Sequence, residues 1–183
     1  MAARPLVMAF ATDIEPATRF ANALGAPFAE IARHRFPDGE SRITLPASLP
    51  KAAVVYQSLN DPNAKLVELL IAAKTARRNG VTHLTLIAPY LCYMRQDIAF
   101  HAGEAVSQTI IGEWLAQHFD ALITVDPHLH RVHKLSEAVP VPSAIALSAA
   151  QTIGMYLHAQ QRSLGLIGPD EESAQWVSAA ASA

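Results

Sequence analysis

Short apolar runs alternate along this chain with longer stretches of helical period, and no other feature constrains the fold as much. The runs are Leu6 to Ala11, Ala53 to Tyr56, Leu84 to Ala88, Leu122 to Val125 and Leu164 to Ile167. Helices are expected between them, beginning near Pro16, Asn63, Glu104 and Ser143. Such alternation predicts an α/β fold, an open and largely parallel sheet with helices on both faces. In the third helix Val106, Ile110 and Trp114 form one stripe with Ile111 and Leu115 beside it, which predicts the face laid on the sheet. The second helix is expected to stop at Arg77-Arg78-Asn79-Gly80, where cations in the last turn precede residues that tolerate a left-handed backbone.

One segment breaks the alternation. Phe28 to Phe36 and Arg42 to Leu45 read as strands flanking the turn Pro37-Asp38-Gly39-Glu40, which predicts a hairpin projecting from the sheet. No repeat, heptad run or low-complexity linker is present. Ala174 to Ala183 reads as the start of a helix with no stop signal. The domain reading is an N-terminal α/β domain over 1–145 and the truncated start of a second, similar one over 146–183.

Composition narrows the classes of function. Of 183 residues, 51 % are hydrophobic and 16 % charged, against roughly 25 % charged in an average soluble protein. Much of the surface is therefore expected to be covered by other chains or a missing segment. A net charge of −2, from 14 basic and 16 acidic residues, leaves no footprint for nucleic acid or an anionic membrane. Cys92 is the sole cysteine, so an intrachain disulfide and a thiolate-rich metal site are excluded and a reducing compartment fits. The apolar run before Asp13 and Glu15, of about six residues, is too short for a signal peptide or a membrane span. A cytoplasmic location is expected.

In open α/β sheets ligands bind beyond the carboxyl ends of the strands, so the loops after the apolar runs are where chemistry is sought. After Ala88 comes Pro89-Tyr90-Leu91-Cys92-Tyr93-Met94-Arg95-Gln96-Asp97. There Arg95 could grip a phosphate bidentately while the aromatics shape a base pocket. A solvated Arg-Asp pair on a surface loop is the equally weighted alternative. After Val125 comes Asp126-Pro127-His128-Leu129-His130-Arg131, where positions two apart share a face and could converge on a metal or a phosphate. The same spacing, Asp126-x-His128-x-His130, matches the strand end of zinc amidohydrolases, although that reading requires the first strand of a (β/α)₈ barrel. After Ile167 comes Gly168-Pro169-Asp170-Glu171-Glu172-Ser173, leading into the last helix. Its carboxylates could hold magnesium on phosphates, or serve only the helix dipole.

Taken in order, these segments resemble the N-terminal half of the ribose-phosphate pyrophosphokinases, also called phosphoribosyl diphosphate synthetases. Arg35-Phe36-Pro37-Asp38-Gly39-Glu40 resembles the family's Phe-x-Asp-Gly-Glu hairpin, and Pro89-Tyr90 with Arg95-Gln96-Asp97 resembles its Pro-Tyr-x-x-Tyr-x-Arg-Gln-Asp loop. Asp126-Pro127-His128 is similar to its Asp-Leu-His, and Pro169-Asp170 to its Ser-Pro-Asp loop. The resemblance implies a phosphoribosyltransferase-like fold and transfer of the pyrophosphoryl group of ATP to the 1-hydroxyl of ribose 5-phosphate, with magnesium as cofactor. It implies that Arg95, Gln96 and Asp97 contact ATP, and that Phe36, Asp38 and Glu40 line the adenine site of a neighbouring chain in a homo-oligomer, a dimer or hexamer. His128 is then the catalytic candidate, and His128 and Asp170 stand around the magnesium.

Two departures bear on regulation and pyrophosphate binding. Commoner members carry a basic stretch after Arg-Gln-Asp, whereas this chain has Ile98-Ala99-Phe100-His101-Ala102-Gly103, so regulation by phosphate and ADP there does not carry over. Glu171-Glu172-Ser173 replaces small residues and glycines. The resemblance places the family's catalytic lysine and arginine and its ribose 5-phosphate loop in a C-terminal half, and after Lys134 this chain has no lysine and only Arg162 as a strong cation. A fragment is therefore expected. A non-catalytic, regulatory relative is the second reading, and the metal hydrolase the third.

Overall fold

The computed structural model describes residues 4–160 and 165–183. Contacts divide the chain into two compact units, 1–146 and 147–183. Its elements run β1 (Leu6–Ala9), α1 (Ile14–Leu24), β2 (Phe28–Glu30), β3 (Ala32–Arg35), β4 (Ser41–Thr44), β5 (Ala52–Tyr56), α2 (Pro62–Arg78) and β6 (His83–Ala88). There follow α3 (Ser107–Ala116), β7 (Ala121–Val125), α4 (Leu135–Ala138), β8 (Ser143–Leu147), α5 (Ala150–Ala159) and α6 (Ala174–Ala181).

The sheet has six strands in the order β2-β1-β5-β6-β7-β8, and β1 pairs parallel with β2 and β5, β5 with β6, and β6 with β7. The expected α/β fold is present. Alternating side chains divide between two layers, because successive residues of a strand face opposite ways. Val7, Ala9, Val54 and Ile87 pack with Ala17 and Ala21 of α1 on one face. Met8, Val55, Leu86 and Leu122 meet Leu66 and Leu69 of α2 and Leu115 of α3 on the other. Each fully buried leucine contributes about 1.5–3 kcal/mol by leaving water, so the central strands carry much of the stability.

At the amino edge a polar clasp holds α2 to the sheet. The Asp120 carboxylate accepts from the Leu84 amide at 2.6 Å and from Arg77 Nη2 at 2.7 Å. Burial pushes the Asp120 carboxyl up, but the Leu84 amide and the Arg77 guanidinium outweigh it and hold it below the usual carboxylate range. Just before this point α2 stops as its sequence predicts, with Gly80 at φ +92°.

Several expectations require correction. The first arm of the hairpin is not one strand from Phe28 to Phe36, because β2 joins the main sheet and only β3 belongs to the hairpin. Ile31 makes the break: its side chain is buried and its amide donates to the Ala9 carbonyl at 2.8 Å. The hairpin itself is present, with Arg33 opposite Ile43 and His34 opposite Arg42. The helix expected near Ser143 is the strand β8, since Pro140 and Pro142 hold the preceding backbone extended. The third helix starts at Ser107 rather than near Glu104, whose carboxylate is instead paired to His101 and the Phe100 amide.

On that helix Leu115 is buried and Ile111 and Trp114 pack against the core as expected, but Gln108 and Gly112 are buried beside them and Ile110 is 54 % exposed. Of the strand expected over Leu164 to Ile167, Leu164 lies outside the described residues and the rest has no regular structure. In the second unit α6 is present, and its approach to α5 is close enough that a Cβ on Gly154 would meet the Ala180 carbonyl oxygen at 2.1 Å.

Candidate functional site

Two loops at the carboxyl edge of the sheet, after β6 and after β7, enclose a cavity of about 280 Å³. Tyr90, Tyr93, Met94, Arg95, Gln96 and Ser107 line it from one side, and Val125, Asp126, Pro127 and His128 from the other. Arg95, Gln96 and His128, singled out from sequence, thus share one space.

The first loop is held in place by partners outside it. Its Pro89 carbonyl accepts from the Val125 amide at 3.3 Å and its Tyr90 carbonyl from the Leu59 amide at 2.9 Å. Leu91, Cys92 and Met94 turn into the core, and Tyr90 and Arg95 remain exposed. The Tyr93 hydroxyl donates to the Asn63 side-chain oxygen at the start of α2. Tyr93 has φ +58° and Asp126 φ +40°. A left-handed backbone costs about 1–3 kcal/mol at a non-glycine residue and clusters at functional sites, and here one such residue stands on each side of the cavity.

Asp97 does not line the cavity. Its carboxylate accepts from the Arg131 amide at 3.2 Å and from Arg131 Nη1 at 2.7 Å. Burial raises the Asp97 carboxyl, and the bonds and positive charge of Arg131 more than reverse this and hold it low. Phe36, Asp38 and Glu40 are exposed at the hairpin turn and do not line the cavity either. There the Phe36 amide donates to the Glu40 carbonyl at 2.8 Å, and the Asp38 carboxylate accepts from the Glu40 amide at 3.1 Å, while Gly39 takes φ +94°. That bond is the one an Asx turn makes for itself.

Asp170 belongs to the second unit. It caps a short 3₁₀ turn: its carboxylate accepts from the Ser173 amide at 2.9 Å, and the Ser173 hydroxyl donates to the Asp170 carbonyl at 2.5 Å. His128 and His130 lie with ring centroids 6.4 Å apart. Among the described residues no group of three or more His, Cys, Asp or Glu side chains is arranged to hold a metal. The open sheet overturns the hydrolase reading, which needs a closed barrel.

Sequence reasoning missed Ser107, whose hydroxyl donates to the Gln96 side-chain oxygen at 2.9 Å, and Arg131 as the partner of Asp97. A serine opening an apolar helical run is a usable start signal, and the expected start near Glu104 lies three residues before it. Arg131 had no such signal, because its partner lies 34 positions away.

The family model of the N-terminal domain of ribose phosphate pyrophosphokinase matches residues 6–118. The chain belongs to the ribose phosphate pyrophosphokinase family. A ribose-phosphate pyrophosphokinase from Methanopyrus kandleri is 36 % identical over 169 residues, covering 91 % of this chain and 57 % of that protein. A putative ribose-phosphate pyrophosphokinase 2 from Listeria monocytogenes is 30 % identical over 175 residues, covering 93 % and 55 %. This member of the ribose phosphate pyrophosphokinase family therefore spans little more than half the length of those relatives. Its fold matches the crystal structure of phosphoribosylpyrophosphate synthetase from Mycobacterium smegmatis with a TM-score of 0.81 at 22 % identity, over 98 % of this chain and 61 % of that one.

Proposed function

We propose that this chain supplies the nucleotide-binding half of an enzyme that transfers the pyrophosphoryl group of ATP to the 1-hydroxyl of ribose 5-phosphate, yielding phosphoribosyl diphosphate and AMP. The observation that carries the reading is the shared cavity of Arg95, Gln96 and His128 at the carboxyl edge of a parallel sheet. Arg95 presents a planar fork of donors suited to two phosphate oxygens. Gln96 and Tyr90 add a polar and an aromatic contact beside it.

Attack of the ribose hydroxyl on the β-phosphorus needs no covalent nucleophile from the protein, so the site's work is alignment and neutralisation of phosphate charge. His128, which lines the cavity, would donate to a phosphate oxygen in this reading. Magnesium is bound through one or two carboxylates together with phosphates and waters. Asp126 offers a carboxylate at the cavity wall, with His128 beside it. His128 would hold the metal there, and the metal would supply neutralisation of phosphate charge.

Phe36, Asp38 and Glu40 complete the adenine site in this reading by reaching a neighbour's Arg95 loop in a homo-oligomer. Their exposure at the hairpin turn supports it. A cytoplasmic setting belongs to the same proposal, and no described helix is long and apolar enough to cross a membrane.

The test is calorimetric titration of the chain with a non-hydrolysable Mg-ATP analogue. Arg95→Ala should weaken binding by about 1.5–3 kcal/mol, the worth of charge-assisted hydrogen bonds, and Arg95→Lys should recover only part. AMP release with ribose 5-phosphate is followed in parallel, and the 183 residues by themselves should form no phosphoribosyl diphosphate. Unchanged affinity in Arg95→Ala would remove this loop from the nucleotide site, and robust turnover would show that the catalytic groups have been misplaced.

A further inference from the structure

The two residues that flank Arg95 are both held by Gln108. The Gln108 side-chain amide donates to the Met94 carbonyl at 3.1 Å, and its backbone amide donates to the Gln96 carbonyl at 3.1 Å. Gln108 is the second residue of α3 and only 2 % exposed.

The first amides of a helix have no intrahelical acceptor, and the residue before α3, Val106, provides no side-chain cap. The Gln96 carbonyl therefore satisfies an orphan donor of the helix. The Gln108 carboxamide satisfies the Met94 carbonyl in return, beneath a loop whose Leu91, Cys92 and Met94 are buried. Next to it the Ser107 hydroxyl holds the Gln96 side-chain oxygen at 2.9 Å.

We propose that Gln108 is a positioning residue that fixes the backbone of Arg95, so that the guanidinium is presented to phosphate in one orientation. The consequence for ligands rests on the reading of the Arg95 loop as a nucleotide site, whereas the clamp itself does not. A loop that must hold a left-handed Tyr93 and an exposed cation needs its carbonyls anchored, and a bidentate grip is lost with small changes of backbone direction. An apolar residue at position 108 would pack on the core equally well and leave the Met94 carbonyl without a partner.

The decisive variant is Gln108→Met, which keeps length and volume and removes the donor. Amide hydrogen exchange is measured alongside calorimetric titration with the Mg-ATP analogue, both on the full 183-residue chain. Exchange of the residue-108 backbone amide, which donates to the Gln96 carbonyl, should rise about tenfold while β6 and β7 keep their protection, and nucleotide affinity should fall several-fold. Ser107→Ala is the second variant: it should loosen the Gln96 side chain and lower affinity less, leaving exchange of the Gln108 amide as it was. If Gln108→Met fails to fold, Gln108→Asn, too short to reach Met94, is read by the same exchange criterion.

Uniformly faster exchange over the whole unit, or unchanged exchange of the residue-108 amide, would overturn the clamp. Wild-type chain that binds no nucleotide, with exchange in Gln108→Met still raised locally, would instead count against the nucleotide reading and leave the clamp standing.

Discussion

Arg131 Nη1 donates to the Asp97 carboxylate at 2.7 Å and so ties the loop after β6 to the loop after β7. Asp97 is ionised more readily in the folded chain than in the unfolded one, because Arg131 outweighs the effect of burial. A depressed folded pKa contributes stability above the unfolded value, near 3.9 for Asp, and that stability is lost as pH falls through the folded value.

Acid titration followed by tyrosine and tryptophan fluorescence should accordingly show loosening that sets in below about pH 4. In Asp97→Asn that component should be absent and stability at pH 7 lower. Identical acid profiles for the two proteins would mean that the pair has no energetic weight. Asp120, held low by Leu84 and Arg77, titrates in the same direction, so the comparison is made in the single variant and not in the raw profile.

Gly112 should not tolerate a side chain. A Cβ there would stand 1.7 Å from the Ala138 carbonyl oxygen and 2.9 Å from its carbon, both backbone atoms of α4. Overpacking costs about 1–3 kcal/mol and more where the backbone must shift, so Gly112→Ala should lower Tm by several degrees despite its better helix propensity. Calorimetric melting decides it, and a higher Tm would show that α4 moves freely.

Glu68 anchors the hairpin to α2. Its carboxylate, nearly inaccessible to water, accepts from Arg33 Nη1 at 3.2 and 3.0 Å and from the Ser41 hydroxyl at 2.9 Å. Removing Arg33 leaves a buried carboxylate short of its positive partner. Arg33→Ala should therefore destabilise by about 1.5–3 kcal/mol and make the segment between β3 and β4 more sensitive to limited proteolysis. Unaltered cleavage at the turn would show that strand pairing alone fixes the hairpin.

Cys92 is 3 % exposed, and burial pushes its thiol up to about 11. The thiolate is the reactive species, so at pH 8 a thiol reagent should label the folded chain far more slowly than the chain in denaturant. Equal rates would place Cys92 in an open, fluctuating pocket.

Sequence alone determined the strands at Ala53, Leu84 and Leu122, the Asp-Gly hairpin turn and the stop of α2 at Gly80. These rest on local causes: a run of aliphatics, a turn only certain residues make, an end only glycine or asparagine tolerates. It also brought out Arg95, Gln96 and His128, because the loops that follow parallel strands collect at one edge.

Tertiary structure decided what depends on distant partners. Ile31 divides the expected long strand because Ala9 accepts its amide, and Gln108 and Gly112 displace Ile110 from the buried face because the Met94 carbonyl and α4 meet α3 there. Asp97 faces Arg131 rather than the cavity because two loops far apart in sequence come together beyond β6 and β7. Periodicity records which side of an element is apolar, and it holds no record of which polar group elsewhere in the chain will arrive to be satisfied.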